Sequence, residues 1–431
     1  MQPSRIVFYG NFGAGNLGNE LCLQTAIEQS RARLPGAQLL CVCTGPADVQ
    51  ARHGIEALPA SARESGWSWS DLGAQPSPGG APAPRAPLLW RAAAACARAG
   101  RLVFWRLPRE LGHWYQMLAV MARCDVLLIP GTGIVTDSSG SSGWPYELFK
   151  LTALARLCRT RIIFLSVGAG PFHHRIGRWL IRRSLGRANY RSYRDSDAKR
   201  RMADIGFDSA HDALYPDLAF GLPRTHLTGQ QTERERSVAL GLKDYAIPAG
   251  EAATRGYRDY LGLMADFVVW LQARGCSVRL IIGDAQFDTR VREDLIAVLK
   301  ARGAGVAEPQ LLCDPVPTVA ELIRQLQGAA AVVSPRFHNL VLALMLEKPV
   351  IALSDLPKVT ALLADLGLSR FCLPLDGLRF EDLVARFAQL ESDAASLKSG
   401  VRDAVETYRR SVDEQFADVC ASVAAAGKTP G

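Results

Sequence analysis

Short apolar runs alternate with helical patterns along the first half of the chain. Five runs predict buried strands, at residues 5–9, 38–43, 125–129, 161–167 and 188–193. Helical patterns cover residues 20–33, 144–158 and 175–185, and another begins near residue 88. Parallel strands need a crossover connection, usually a helix, so this order predicts a mainly parallel sheet with helices on both faces.

The second half repeats this order. Its predicted strands lie at residues 237–241, 277–282, 329–334 and 349–353, with a short one near residue 311. Its predicted helices cover residues 255–274, 291–301, 319–328, 339–346 and 359–366. We therefore predict an α/β protein of two doubly wound, Rossmann-like lobes that face each other across a cleft. Such sheets bind ligands at the carboxyl ends of their strands.

Two segments separate or interrupt these lobes. Residues 221–236 are polar and predict a linker. The N-terminal lobe is therefore assigned to residues 1–225, and the C-terminal lobe, with C-terminal helices, to residues 226–431. Residues 61–87 are rich in Pro, Gly, Ser and Ala, which predicts a surface loop without active-site residues.

The composition is that of a globular protein with a basic surface. Hydrophobic residues make up 48% of the 431 positions and charged residues 21%, which excludes disordered and fibrous classes. The net charge of +8 favours anionic partners. Ten cysteines without a C-x-x-C pair predict a reducing compartment and no zinc site. Without a secretory signal or an uninterrupted apolar span, we expect a cytoplasmic protein, at most peripheral at the inner face of the membrane.

Three glycine-rich turns follow predicted strands of the first half. They are YGNFGAGNLGNE at residues 9–20, IPGTG at 129–133 and SVGAGP at 166–171. Because the carboxyl ends of parallel strands share one edge, the turns form a groove in which backbone N–H groups can approach an anion. The residues that we single out in these turns are Asn16, Gly18, Asn19, Glu20, Gly131, Gly133, Gly168 and Gly170.

The first turn also fits the G-x-G-x-x-G pattern of dinucleotide-binding sites, at Gly13, Gly15 and Gly18. That site needs an acidic residue after the second strand to hold a ribose hydroxyl, and the sequence there is CVCTGP. A nicotinamide or flavin cofactor is therefore disfavoured. A tight turn needed only for packing stays open as an alternative.

Three basic residues and one histidine lie at the ends of predicted strands. Arg194 ends one strand, Arg336 and His338 lie between a strand and a helix in SPRFHN, and Lys358 follows the next strand. A guanidinium group grips a carboxylate or phosphate with two parallel bonds. A helix amino end disfavours imidazolium, so a protonated His338 needs a bound anion to stabilise it. Helix-capping and surface roles are the alternatives.

Other basic segments carry a weaker signal. A solvated helix face and surface positions account for Arg175, Arg178, Arg182, Arg183, His173 and His174. Residues 88–115 combine three tryptophans and five arginines with one glutamate. This mixture suits a membrane surface, or tryptophans packed on the sheet beneath extended arginines. We recognise no known nucleic-acid-binding module in the sequence, so we expect no nucleic-acid partner.

Taken in order, these motifs resemble the polysaccharide pyruvyltransferase family over most of the chain. The similarity runs through the three glycine turns, SYRDSDAKRRM, YPDLAF and, most specifically, SPRFHNLVLALMLEKPVIALSDLPKV. The resemblance implies a two-lobed, glycosyltransferase-like fold. It also implies transfer of the pyruvyl group of phosphoenolpyruvate to a sugar of a cell-surface glycan or its lipid-linked precursor. The product is a ketal, and phosphate is released.

The resemblance also implies roles for individual residues. Arg336 and Arg194 would clamp the anionic groups of phosphoenolpyruvate, and His338 would donate a proton to its methylene carbon. No metal or redox cofactor is implied.

The chain departs from the family pattern at two positions. The family has Gly-Asp-Glu where this chain has Gly18, Asn19 and Glu20, and an amide cannot accept the proton of a sugar hydroxyl. We therefore expect Glu20 or Asp217 to act as the base, or the activity to be changed. Thr132 also replaces a more usual glycine in IPGTG.

Two other functions stay open. A nucleotide-sugar glycosyltransferase would use the same cleft, although no acidic residue is clearly placed in the second lobe to bind ribose. A non-catalytic glycan- or phosphosugar-binding relative is the other alternative, because of Asn19.

Overall fold

The protein is described by a computed structural model over residues 4–62, 107–229, 236–244 and 251–425, with the backbone alone for 251–254 and 425. Most of the loop predicted near residues 61–87 lies outside these ranges. Residues 88–106, which form most of the segment rich in tryptophan and arginine, also lie outside these ranges.

The first lobe is built on a seven-stranded sheet in which every strand pair is parallel. Its strands are β1 (Arg5–Gly10), β2 (Gln38–Cys43), β3 (Glu56–Pro59), β4 (Val126–Pro130), β5 (Arg161–Val167), β6 (Tyr190–Tyr193) and β7 (Ala213–Leu214). Their order across the sheet is β3-β2-β1-β4-β5-β6-β7. The chain changes direction across the sheet between β1 and β4, which opens a crevice at their carboxyl ends.

Helices cover both faces of this sheet. They are α1 (Leu17–Arg33), α2 (Pro46–His53), α3 (Leu107–Arg123), α4 (Trp144–Leu157), α5 (Arg175–Leu185) and α6 (Ser196–Asp204). Two short 3₁₀ turns, at Leu218–Gly221 and Arg224–His226, lead towards the second lobe.

The second lobe repeats the strand order of the first. Its parallel sheet has the order β10-β9-β8-β11-β12-β13. The strands are β8 (Ser237–Leu242), β9 (Ser277–Ile282), β10 (Leu311–Leu312), β11 (Ala331–Ser334), β12 (Val350–Leu353) and β13 (Cys372–Leu373). The helices are α7 (Glu251–Ala273), α8 (Asp288–Ala301), α9 (Val319–Gln327), α10 (Phe337–Met345), α11 (Pro357–Asp365) and α12 (Phe380–Ala425), with a 3₁₀ turn at Ser369–Phe371.

Strand β1 shows how an apolar run specifies the layers. Ile6 and Phe8 belong to the core that continues into the second lobe, whereas Val7 and Tyr9 belong to a separate core on the other face. Successive side chains of a strand point to opposite faces, so a strand buried on both faces needs apolar residues at every position.

The predicted strands and helices are found with small shifts at their ends, apart from the helix predicted to begin near residue 88, whose start lies outside the described residues. Helix α1 begins at Leu17, three residues earlier than predicted, because the Asn16 side chain accepts the Asn19 N–H and caps it. The sequence interpretation missed α2, β3 and α6, since runs of four to nine residues give too few repeats for their periodicity to be recognised.

The two lobes touch where the first glycine turn meets the loop after β9. The Leu17 N–H donates to the Gly283 carbonyl over 3.0 Å, and the Ala285 N–H donates to the Gly15 carbonyl over 2.9 Å. The Asn16 amide donates to Asp284 Oδ2 over 2.9 Å. These bonds hold the carboxyl end of β1 against the carboxyl end of β9.

Helix α12 spans both lobes, and this single helix of 46 residues stands where several C-terminal helices were predicted. Its first part packs on the second lobe, where the rings of Phe387 and Phe267 meet edge to face. Its last part contacts the first lobe, where Arg409 donates to the carbonyl groups of Phe220 and Leu222 over 3.0 and 2.8 Å.

The lobe boundary assigned between residues 225 and 226 falls between the two sheets and stays a prediction. Within the described ranges, no helix has the length and apolar character needed to cross a membrane.

Gln415 of α12 anchors this helix in the first sheet, and its loss tests the contact. The fully buried Gln415 amide accepts from Ser166 Oγ over 3.0 Å and donates to Ser192 Oγ over 2.7 Å. We expect Gln415→Leu to lower the free energy of unfolding by about 1–3 kcal/mol, because buried hydroxyl groups lose their partners. Urea denaturation measures this, with the exposed neighbour as control. Glu414→Leu should change stability by less than about 0.5 kcal/mol, and an equal loss in both variants would contradict the assignment.

Candidate active site

Loops at the carboxyl ends of strands from both sheets meet around His338. This residue is the second of α10, which starts just after β11. Gly18 of α1 lies against its ring so closely that an added Cβ would stand 1.9 Å from His338 Nδ1. Only glycine permits this approach, so the glycine predicted to contact a ligand instead makes room for the imidazole of the other lobe.

The imidazole faces a buried carboxylate and a buried thiol. His338 Nε2 lies 3.6 Å from Asp217 Oδ1 and 3.9 Å from Cys22 Sγ, and Cys22 Sγ lies 3.5 Å from Asp217 Oδ1. Asp217 is 3% exposed, and its Oδ1 also accepts the Ala219 N–H over 3.0 Å. The prediction named His338 and Asp217 separately, and the structure brings them together.

Arg194 supplies the first cation of this group. Its Nη1 lies 3.4 Å from Asp217 Oδ2, and its Nε lies 3.3 Å from Asp195 Oδ2. Gly168 of the third glycine turn gives the guanidinium its space, because an added Cβ there would lie 2.5 Å from Arg194 Nη2. Asp217 is therefore shared between a cation of the first lobe and a histidine of the second.

Lys358 brings a second cation from the opposite lobe. Its Nζ lies 5.1 Å from the centre of the Phe337 ring, and the Arg194 guanidinium carbon lies 5.8 Å from the same centre. Both side chains line a cavity of about 320 Å³ between the lobes, together with Asp217 and Tyr215. This cavity has the size of a small-molecule site at a lobe interface.

Burial and like charges shift the proton affinities of these groups. Burial, followed by the nearby Arg194, lowers the pKa of Lys358 to about 7. Burial also lowers the pKa of His338, although Asp217 acts in the opposite direction. Burial alone would raise the pKa of Asp217, but His338 and Arg194 outweigh it and hold that pKa far below its usual value. An anion close to Lys358 and His338 would raise their pKa values and so favour uptake of protons from solvent.

Arg336 points to a different partner from His338, although only two residues separate them. Its Nη2 donates to Asp288, a fully buried carboxylate that also accepts the N–H groups of Gly283 and Asp284. Beside it, the buried Asn339 side chain has no hydrogen-bond partner among the described residues. Arg336 thus belongs to a second polar group at the ends of β9 and β11.

Lys243, at the end of β8, links the two groups and was missed in the sequence interpretation. Burial, then the charge of Arg336, lowers its pKa, and its own charge acts on Lys358. Its position after the first strand of the second lobe, next to the crevice, was the signal that could have revealed it. Four cations, Arg194, Lys358, Lys243 and Arg336, therefore follow the cleft.

Glu20 does not join this site, in contrast to its predicted role as a base. Its Oε1 accepts the Gly13 N–H over 2.7 Å, and its Oε2 lies 3.6 Å from His53 Nε2. Two residues along a helix differ by about 200° in direction, so Glu20 points away from the face on which Gly18 meets His338. Its 2% exposed carboxylate closes the glycine turn instead.

Of the remaining predicted residues, some lie in the wall of the cleft and others lie outside it. The Asn16 amide is occupied by Asn19 and Asp284, and the Asn19 amide donates to the Asn11 carbonyl over 3.0 Å. An added Cβ at Gly131 would lie 2.9 Å from Cys22 Sγ. Gly133 is exposed with open space beside it, and Gly170 packs on Arg201, outside the group around His338.

One set of side chains in the described ranges could hold a metal ion. The ligand atoms of Cys22, Asp217 and His338 all lie within 4.8 Å of one another. Thiolate, carboxylate and imidazole form a ligand set that suits zinc. Burial, followed by the charge of Asp217, raises the pKa of the Cys22 thiol, so the neutral thiol is favoured here. The expectation that no metal is used stays a prediction.

Comparisons with known proteins agree with this architecture. The family model described as polysaccharide pyruvyl transferase matches residues 16–355. No curated protein sequence gives a significant match.

Several solved structures share the fold at low sequence identity. A UDP-GlcNAc 2-epimerase from Neisseria meningitidis bound to UDP-GlcNAc is 8% identical, covers 98% of this chain and 99% of its own, and gives a TM-score of 0.55. A glycosyltransferase from Rickettsia africae ESF-5 is also 8% identical, with 98% and 99% coverage and a TM-score of 0.56. A UDP-GlcNAc 2-epimerase from Methanocaldococcus jannaschii is 10% identical, with 89% and 91% coverage and a TM-score of 0.53. They confirm the predicted two-lobed, glycosyltransferase-like fold.

The contact between Gly18 and His338 gives a direct test of the site. We expect Gly18→Ala to displace the imidazole and to lower the free energy of unfolding by about 1–3 kcal/mol, because the added methyl group overlaps the His338 ring. Gly256→Ala is the matched control, since an added Cβ there meets nothing within 4 Å. Urea denaturation compares the two, and a Gly18→Ala variant as stable as Gly256→Ala would contradict the contact.

Proposed function

This chain belongs to the polysaccharide pyruvyl transferase family, and we propose that it transfers the pyruvyl group of phosphoenolpyruvate to a sugar. The acceptor is a cell-surface glycan or its lipid-linked precursor, and the products are a pyruvate ketal and phosphate. One observation carries the proposal: cations from both lobes converge on a histidine that lies 3.6 Å from a buried carboxylate.

The charges of the cleft match the donor. Phosphoenolpyruvate carries a phosphate and a carboxylate on the same carbon, so its site needs cations on two sides. Arg194 and Lys358 offer one pair, and Lys243 and Arg336 offer the other. The unpaired amide of Asn339 adds a donor beside Arg336. A small dianion that spans the start of α10 would contact both groups.

His338 is the proposed proton donor. Its neutral form dominates in the free protein because burial lowers its pKa. Bound anionic groups favour the imidazolium, and Asp217 stabilises it. His338 then protonates the methylene carbon of phosphoenolpyruvate, which becomes a methyl group while positive charge develops at the adjacent carbon.

Two sugar hydroxyls complete the transfer. The first attacks the cationic carbon and forms a C–O bond, and its proton returns to the neutral His338, which Asp217 holds in position. The second hydroxyl forms the other C–O bond as the bond from carbon to the phosphate oxygen breaks. Its proton leaves with the phosphate, so one ketal and one phosphate ion balance one donor and one diol. This sequence uses no metal or redox cofactor.

The two alternative functions predict different ligands. A nucleotide-sugar glycosyltransferase binds a sugar nucleotide in preference to phosphoenolpyruvate, and a non-catalytic relative binds without releasing phosphate. Only the fold, shared at low identity, connects this chain with proteins that use UDP-sugars.

Binding of phosphoenolpyruvate should take up protons. Near pH 8 most of Lys358 in the ligand-free protein is uncharged, because its pKa is about 7. A bound anion raises that pKa, so the amine takes up a proton from solvent. Uptake by this residue falls as the pH drops below about 6, where the free amine is already charged. Titration calorimetry in buffers of different ionisation enthalpy measures the proton number.

Lys358→Met should remove the share of this uptake that belongs to Lys358 and weaken binding by about tenfold or more, because a charge-assisted hydrogen bond is lost. Lys300→Met removes an exposed charge from α8 and should change neither quantity. Tighter binding of UDP-GlcNAc than of phosphoenolpyruvate, or binding without proton uptake, would count against the proposal.

The proton donor can be separated from the binding groups. His338→Gln should bind phosphoenolpyruvate within a few-fold of the natural protein but release phosphate about 10²–10⁴ times more slowly with a glycan acceptor. Mass spectrometry of lipid-linked and free oligosaccharides detects the added pyruvate. Full phosphate release by this variant would remove His338 from the mechanism.

A further inference from the structure

Helices α3, α4 and α5 cover the face of the first sheet that points away from the second lobe. Within the described residues, six of the nine large apolar side chains with substantial exposure belong to these three helices: Leu107, Leu111, Tyr115, Leu157, Ile176 and Trp179. Exposed apolar groups are ordinary when scattered, but here they collect on one layer.

Helix α5 carries the most regular part of this surface. Its buried positions are Gly177, Leu180, Ile181, Ser184 and Leu185. Every exposed position of the helix is an arginine or a large apolar residue: Arg175, Ile176, Arg178, Trp179, Arg182 and Arg183. Ile176 is 66% and Trp179 49% exposed, so the described part of the chain leaves much of both side chains uncovered.

No carboxylate of the described residues neutralises this face. The two acidic residues of the three helices, Glu110 and Glu147, lie 2.8 and 2.6 Å from the buried Lys150, on the inner side of the layer. Arg183 stacks over Trp179 at 5.7 Å, and Arg178 donates to the Phe172 carbonyl over 3.0 Å. The four arginines of α5 therefore keep their positive field at the surface.

We propose that this face of α5, with the exposed start of α3, docks on a bilayer of anionic phospholipids. Basic residues around an exposed tryptophan and an isoleucine match a surface with negative headgroups and an apolar layer beneath them. A nucleic acid would bind the arginines, but it offers no apolar layer for Ile176 and Trp179.

The position of α5 gives the docked protein a defined orientation. Helix α5 begins four residues after the third glycine turn, at the edge of the sheet that carries Gly168 and Arg194. A bilayer bound along α5 therefore lies next to the opening of the cleft. The docking itself does not depend on which reaction the cleft performs, and it can be tested without substrate.

Co-sedimentation with vesicles tests the proposal on the full chain. We expect binding at low salt to vesicles of phosphatidylcholine and phosphatidylglycerol in equal parts, and little binding to phosphatidylcholine alone. Arg182→Glu with Arg183→Glu should weaken binding at least about 25-fold, because each basic residue near such a surface contributes roughly a fivefold factor. At high salt, screening removes most of the electrostatic attraction and leaves the apolar contribution. Under those conditions Trp179→Ala should bind vesicles more weakly than the natural protein.

The matched control changes the same charge elsewhere. Lys300→Glu with Arg410→Glu replaces two exposed basic residues on α8 and α12 and should leave vesicle binding within a few-fold of the natural protein. Melting temperatures and phosphate release with a soluble acceptor should be unchanged in both double variants, which separates docking from folding and turnover.

Failure of the natural protein to sediment with anionic vesicles would overturn the proposal. So would an equal loss of binding in the two double variants, because the attraction would then come from net charge and not from α5. Binding to duplex RNA that depends on Arg182 and Arg183, without binding to vesicles, would assign this face to nucleic acid instead.

Discussion

The contact between Gly18 and His338 is the constraint on which the rest of the site depends. Where a Cβ would stand 1.9 Å from His338 Nδ1, the absence of a side chain lets α1 and α10 approach across the lobe interface. The same approach permits the backbone bonds between the first glycine turn and the loop after β9. The absence of a side chain at Gly18 therefore permits both the close approach of the two lobes and the position of the His338 imidazole beside Asp217.

The electrostatics of the cleft follow from the same closure. Arg194, Lys358, Lys243 and Arg336 are partly or largely buried at the cleft, and Asp217, Asp195 and Asp288 are nearby counter-charges. Burying a cation is unfavourable, and the lowered pKa values of Lys358 and Lys243 relieve part of that cost. Ion pairs with Asp217, Asp195 and Asp288 hold Arg194 and Arg336 in place at the cleft.

Asn19, which stands where the family motif is expected to have an aspartate, holds two parts of the first lobe together. The Asn19 amide donates to the Asn11 carbonyl over 3.0 Å, a bond that an ionised aspartate could not make. This residue ties α1 to the end of β1 and offers no base. Glu20 is occupied by the glycine turn. Asp217 is the carboxylate that lies beside His338, 3.6 Å from its Nε2.

The sequence by itself determined the alternation of strands and helices, the three glycine turns, and the placement of Arg194, Arg336 and His338 at strand ends. Periodicity and backbone preferences are local, so they can be recognised along the chain. Only the tertiary structure decided that Asp217 and not Glu20 meets His338, that Arg336 pairs with Asp288, that Lys243 joins the cations, and that α12 returns to the first lobe. These outcomes depend on which side chains face each other across hundreds of residues, and no local pattern specifies a partner at that distance.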